Sequence, residues 1–275
     1  MNKIGIYVHI PFCATKCPYC DFYSISYNKQ TAAAYTAAVI RNMRSFSGRY
    51  SADTLFFGGG TPTLLGEGLS EITKTAKDVF GLENAEITIE ANPKTVNESL
   101  LNAWYNAGIN RISFGVQSLC DDELKMLGRR HTASDALKSI FLAKECGFTN
   151  ISADLMLGIP NQTVKSVKES INGLASAGVK HISAYMLQIE EGTPFFENNI
   201  EKICPSENDT VNIYLSAIDE LENLGLYQYE ISNFAVSGYE SQHNLKYWNC
   251  KEYLGFGASA HSFINNTRFA VENNA

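Results

Sequence analysis

The stretch Ile4-Gly5-Ile6-Tyr7-Val8-His9-Ile10-Pro11-Phe12-Cys13-Ala14-Thr15-Lys16-Cys17-Pro18-Tyr19-Cys20 decides how the chain is read. Its first seven residues are β-rich and almost continuously apolar, the pattern of a strand buried on both faces. Pro11 ends that strand. Three cysteines follow, with three and then two residues between them. Thiolate sulfur is the soft ligand that holds iron–sulfur clusters, which ordinarily take four protein ligands. Asp21 and Phe22 come next, so the loop offers no fourth cysteine. A cluster held by Cys13, Cys17 and Cys20 keeps one iron open to a small-molecule ligand. The alternative is a zinc site completed by His9 or His131. Zinc sites usually pair two short ligand elements far apart in sequence, whereas here three cysteines share one short loop.

Outward from this loop, a strand–helix unit repeats. Residues 28–47 are alanine-rich with Tyr35, Val39 and Met43 at fourfold spacing, which predicts a helix. Ala52 to Phe57 predicts a second strand, closed by Gly58-Gly59-Gly60-Thr61-Pro62. A helix then carries Leu69, Ile72, Ala76 and Val79, with Gly81 as its stop. Further strands are predicted over 85–90, 110–115, 150–155 and 179–187. Helices are predicted over 97–107, over 133–146 with Thr132 as N-cap, from Thr163, and over 207–224. Six such alternations imply a parallel sheet with right-handed crossovers. A closed eight-unit barrel typically needs about 250 residues, and only six units fit before residue 225. The expected fold is therefore α/β, a partial six-unit (β/α) TIM-like barrel over 1–225. An irregular extension is expected over 226–275, with a candidate short strand over 228–234 and aromatic, glycine-rich loops after it.

Composition narrows the class. The 275 residues are 45% hydrophobic and 19% charged, which is globular, and no apolar run reaches the length of a membrane span. A net charge of −7 argues against a broad electrostatic footprint on nucleic acid. Seven cysteines, an odd number with three clustered, fit a reducing compartment better than a disulfide framework. A soluble, cytoplasmic protein is expected.

In sheets of this kind ligands bind at the carboxyl ends of the strands. The cysteine loop, the glycine run, Glu90, Gln117 and Asp154 all fall there, so they are expected to converge on one rim. The glycine run is no phosphate-binding P-loop, since no Gly-Lys-Ser/Thr follows. Its bare backbone suits close approach to an amino-acid head group. Glu90 and Asp154 suit ribose hydroxyls or an ammonium, and Arg129 offers fixed donors to a carboxylate. Each also has an ordinary reading as a surface charge or helix cap. His243 and His261 sit among aromatics, either as satisfied structural residues or as an axial ligand to haem iron. In the second case Tyr247 and Trp248 would form a flat apolar wall. Cys120, Cys146, Cys204 and Cys250 read as inert thiols.

Together these residues resemble the radical S-adenosylmethionine (SAM) superfamily. The resemblance runs from Tyr7 to about Ser262. It rests on Tyr-Val-His-Ile-Pro-Phe-Cys, Cys-Pro-Tyr-Cys-Asp-Phe, Phe-Gly-Gly-Gly-Thr-Pro-Thr, Gly-Val-Gln-Ser, Leu-Gly-Arg-Arg-His, Asp-Leu-Met-Leu-Gly-Ile-Pro and Tyr-Glu-Ile-Ser-Asn-Phe-Ala. Within the superfamily the sequence is similar to the oxygen-independent coproporphyrinogen III oxidase family, and most to its haem-chaperone HemW branch. The resemblance implies a [4Fe–4S] cluster on Cys13, Cys17 and Cys20, with SAM chelating the fourth iron. It carries the SAM contacts onto Tyr7, Tyr19, Gly59, Gly60, Thr61, Glu90, Gln117, Arg129 and Asp154. In the oxidase, SAM is cleaved to a 5′-deoxyadenosyl radical that initiates decarboxylation of coproporphyrinogen III to protoporphyrinogen IX. That enzyme carries a further cysteine two positions beyond the third, where this chain has Phe22. His243-Asn244-x-x-Tyr247-Trp248 resembles the haem-binding signature of the chaperone branch, which makes His243 the implied haem ligand. Haem, or a porphyrinogen, is the implied small-molecule partner. The implied protein partners are a haem acceptor and an electron donor, neither of which the sequence names. The family continues into a further C-terminal domain, expected to lie outside these 275 residues.

Overall fold

The computed structural model describes residues 3–274. The outermost residues of the two expected domains, 1–2 and 275, lie outside this range. β1 (Ile4–Ile10) leads into the cysteine loop, where the two-residue strands β2 (Phe12–Cys13) and β3 (Ile25–Ser26) pair in parallel. Then come α1 (Lys29–Arg44), β4 (Ala52–Gly59), α2 (Gly68–Phe80), β5 (Glu86–Ala91) and α3 (Glu98–Ala107). The chain continues through β6 (Arg111–Gln117), α4 (Asp121–Met126), α5 (Ala133–Glu145), β7 (Asn150–Leu157), α6 (Val164–Ser176) and β8 (His181–Met186). The short α7 (Pro194–Glu197) precedes α8 (Glu207–Asn223). The last elements are β9 (Tyr227–Gln228), β10 (Asn233–Ala235), α9 (Gln242–Trp248), β11 (Tyr253–Phe256), β12 (His261–Ile264) and β13 (Thr267–Ala270).

The six expected strands form the parallel centre of one sheet, in the order β1-β4-β5-β6-β7-β8. Period-2 alternation gives each strand an outer and an inner face. Ile6, Val8, Leu55, Phe57, Ile87, Ile89, Ile112, Phe114, Ile151 and Ile182 face outward, essentially without solvent exposure. There they pack with helix residues such as Val39, Ile72, Trp104, Ile140, Ile171 and Leu221. Each such side chain removed from water contributes about 1.5–3 kcal/mol. The inner face is different, carrying Tyr7, His9, Thr54, Phe56, Glu90, Arg111, Ser113, Asp154 and His181. That polar lining is where the chemistry lies.

The extension holds more regular structure than expected: the candidate strand over 228–234 is two short strands around a bend, and the loops after it carry a helix and three strands. β10 pairs antiparallel with β8, and β9 with β10, so the sheet grows at one edge. At the other edge β11 joins β1 in parallel, and β12 and β13 follow antiparallel. The sheet stays open, with β13 and β9 as its ends. α9 packs against the inner face near the amino ends of β1 and β4. Its N-terminal amides are held from afar, because the Glu86 carboxylate accepts from the Gln242 and His243 amides at 3.2 and 3.1 Å. Ser241 also caps α9 locally, accepting from the Asn244 amide at 3.4 Å, but strands of two to four residues and a seven-residue helix are too short to show a period.

Candidate functional site

The cysteine loop is tied down by backbone. Ile25 donates to the Pro11 carbonyl and Tyr27 to that of Cys13, at 2.6 and 3.0 Å. The Phe195 amide of α7 donates to Pro18 at 3.0 Å, and the rings of Tyr19 and Phe195 pack 5.9 Å apart. Cys13, Cys17 and Cys20 are free, half-buried thiols on this frame. Burial raises the Cys20 thiol, offset in part by the Phe22 amide and raised further by Cys17. Among the described residues, no group of three or more His, Cys, Asp or Glu closes around a single ion. His9 gives its nitrogens to the Tyr7 hydroxyl and the Tyr23 carbonyl, both at 3.1 Å. His131 is buried with Nε2 on the Val116 carbonyl at 3.0 Å. The two histidines considered for a zinc site are thus engaged elsewhere.

The glycine run brings the end of β4 against this loop. Gly60 and Thr61 donate to the carbonyls of Ile10 and Phe12, each at 2.8 Å. Gly59 has φ +107°, and a Cβ there would sit 2.7 Å from the His9 ring. A Cβ on Gly60 would meet the Phe12 carbonyl at 2.7 Å and Cys13 Sγ at 3.0 Å. The bare backbone is thus required first by the cysteine loop itself.

Arg129 links the rim. Its Nη1 reaches Cys17 Sγ at 3.5 Å and the Tyr19 hydroxyl at 3.4 Å, while Nη2 donates to Asn92 Oδ1 and the Gly115 carbonyl. Asn92 in turn donates to Thr61 Oγ1 at 2.9 Å, and Thr61 Oγ1 lies 3.9 Å from Cys13 Sγ. Gln117 is a buried non-glycine residue at φ +71°, the kind of backbone outlier that clusters at functional sites. Its Oε1 accepts from the Tyr185 hydroxyl at 2.7 Å. Asp154 Oδ1 accepts from Ser113 Oγ at 3.1 Å. Burial, then repulsion from Asp154, pushes Glu90 up to about 8, and burial also raises Asp154. Two half-buried carboxyls with raised pKa values, facing a thiol-lined rim, suit a cationic or hydroxyl-rich ligand.

Sequence reasoning missed Asn92, Ser113 and Tyr185. Asn92 is the next inward residue after Glu90, and Ser113 stands opposite Glu90 in the β5–β6 register. A strict count of inward positions along each strand would have found all three.

His243 is not at this rim. It lies under the inner face, buried, its ring stacked near Phe56 and Tyr7 at 5.2 and 6.4 Å. Nδ1 meets Thr54 Oγ1 and Nε2 the Tyr247 hydroxyl, both at 2.8 Å. Burial and the nearby Lys246 and Arg111 push its pKa down to about 3. In this placement neither nitrogen is open to iron, and haem ligation by His243 requires Thr54 or Tyr247 to release it. Tyr247 packs edge-on against Tyr253 while Trp248 is 56% exposed, so the two do not form the expected flat wall. His261 is exposed on β12.

Residues 7–174 match the family model described as Radical SAM superfamily. The chain is 40% identical over 276 residues to "Heme chaperone HemW" of Bacillus subtilis (strain 168), covering 95% of this chain and 71% of that protein. It is 34% identical to the protein of the same name from Escherichia coli (strain K12), covering 96% and 71%. The solved structure titled "Coproporphyrinogen III oxidase (HemN) from Escherichia coli is a Radical SAM enzyme" superposes with a TM-score of 0.86 at 24% identity. It covers 99% of this chain and 67% of that one, a likeness of fold. A cysteine triad on a parallel (β/α) sheet, a matching model over most of the chain and 34–40% identity to HemW proteins agree: the chain belongs to the radical SAM superfamily and, within it, to the HemW family.

Proposed function

We propose that this protein is a haem chaperone that binds haem and passes it to an acceptor while keeping a radical SAM core. The observation that carries the reading is the 34–40% identity to proteins named heme chaperone, over 95–96% of this chain. Membership of the superfamily implies a [4Fe–4S] cluster and SAM. Cys13, Cys17 and Cys20 are the residues that would hold the cluster, and their chemistry fits it, being three free, half-buried soft thiols on one loop. The loaded centre supplies one-electron chemistry.

This chain's residues do the rest. Gly59, Gly60 and Thr61 present main chain against the loop, and Arg129, steadied by Asn92, sets fixed donors beside Cys17 for the SAM carboxylate. Glu90 and Asp154 accept from its ammonium or hydroxyls. Gln117 and Tyr185 brace each other across the lumen, while Tyr7 and Tyr19 close its walls and exclude water. Phe22, 62% exposed, stands where the decarboxylating enzyme carries its further cysteine, which supports the chaperone reading over the oxidase one.

The test is an anaerobic assay of the cluster-loaded protein with SAM, reductant and coproporphyrinogen, beside a haem titration and transfer to apomyoglobin. Stable, transferable haem without protoporphyrinogen is the expected result. Protoporphyrinogen formation without haem uptake would establish the decarboxylase instead. For His243 as the haem ligand, His243→Ala should change the haem absorption spectrum; an unchanged spectrum and affinity removes it from that role.

A further inference from the structure

One charged side chain of the inner face is buried outside every ion pair among the described residues. Arg111, at the start of β6, is 2% exposed. Its Nε is buried without a hydrogen-bond partner, and so is Thr88 Oγ1, the residue directly opposite it on β5. None of the five ion pairs among the described residues includes Arg111. A buried guanidinium left without a carboxylate is expensive, and sequences seldom keep one without use.

The register shows what the charge faces. One inward step up β6 from Arg111 is Ser113, whose hydroxyl donates to Asp154 and whose partner on β5 is Glu90. Arg111 therefore stands beneath the pair of carboxyls, on the strand between theirs. A direct salt bridge would satisfy the charge but would occupy the oxygens a ligand needs. A cation one step below lends its field without taking a carboxylate oxygen for itself. Arginine suits the task better than lysine because it stays protonated when buried.

We propose that Arg111 is a positioning residue of the SAM site, a fixed cation that favours the ionised form of Glu90 and Asp154 from one step below them, without forming a salt bridge to either. The inference rests on the reading of those two carboxylates as SAM contacts. The groups facing Arg111 are Glu90, Asp154, His181, His243 and Tyr229. Burial holds both imidazoles neutral and pushes Tyr229 up to about 12. Between pH 6 and 9, then, only the carboxyls change charge in response to Arg111.

The test measures SAM binding by anaerobic equilibrium dialysis of the cluster-loaded protein between pH 6 and 9. Wild-type affinity should climb as Glu90 ionises. Arg111→Met should weaken binding about tenfold at pH 7, the equivalent of one pKa unit. The gap should narrow towards pH 9, where the carboxyls ionise without help. Arg111→Lys, which keeps a cation, should restore most of the affinity. In a Glu90→Gln background the pH-dependent part of the loss should shrink. Should R111M fail to load its cluster, R111Q serves as the neutral variant. A loss equal at every pH, no loss at all, or R111K binding as weakly as R111M overturns the proposal. Wild-type protein that loads its cluster but binds no SAM at any pH would instead overturn the underlying reading of the site.

Discussion

The rim and the floor of the lumen treat their reactive side chains in opposite ways. At the rim, Cys13, Cys17 and Cys20 are half-buried thiols, and burial raises the pKa values of the half-buried carboxyls of Glu90 and Asp154. At the floor, His243 is buried with both nitrogens taken, its pKa driven down to about 3, and its helix capped by Glu86. A saturated group is held in one place by its partners, whereas an unsaturated one is held by the backbone around it and kept for a ligand. The cysteine loop shows the second arrangement, with backbone hydrogen bonds from Ile25, Tyr27 and Phe195 fixing a loop whose side chains remain open. The haem-ligand reading of His243 thus carries a requirement that the SAM reading of the rim does not, since His243 must first be released.

The largest effect that separates the two regions is expected from Cys17→Ser. Iron content after anaerobic reconstitution should fall from about four per chain to near none, while unfolding of the unloaded protein stays close to wild type. Retention of iron would break the assignment of the rim. Next comes His243→Ala, which leaves Thr54 and Tyr247 without their partner beneath Phe56. The unloaded protein should lose about 2–4 kcal/mol in urea unfolding. A loss well below that range would show that the floor is not the saturated structural site described.

A smaller, pH-dependent effect is expected from Glu90. Its folded pKa of about 8 lies above the ordinary glutamate value of 4.5, so between these values the folded state binds the proton more tightly than the unfolded chain. Its contribution to stability is therefore present at low pH and lost as pH rises from about 5 to 8. Glu90→Gln should flatten that slope in unloaded protein, and an unchanged slope would sink the pKa assignment. The smallest effect is expected for Trp248→Ala. With the ring 56% exposed, stability should change by less than about 0.5 kcal/mol, so an altered haem spectrum would point to haem contact rather than to folding.

Cys13, Cys17 and Cys20, the glycine run, and the strand-end residues Glu90, Gln117 and Asp154 were legible because each lies beside a local pattern: a spacing, a run of small residues, or the end of an apolar strand. The six parallel strands were legible for the same reason, since their outward faces repeat Val, Ile, Leu and Phe against periodic helices. Asn92, Ser113, Tyr185 and Arg111 carry no such mark. Their importance comes from pairing across strands, where register decides which inward side chains meet. The extension was the least legible part, because its strands are too short to show a period and α9, though capped locally by Ser241, takes further hold from Glu86, 156 positions away in sequence. The sequence by itself determined the soft-donor triad of the loop and the class of the sheet, both of which follow from residue type and local spacing. Only the tertiary structure decided that β10 and β11 extend that sheet at opposite edges, that His243 sits saturated at the floor, and that Arg111 stands unpartnered beneath two carboxyls. Each of these depends on contacts between segments far apart in the chain, whose energies no local window contains.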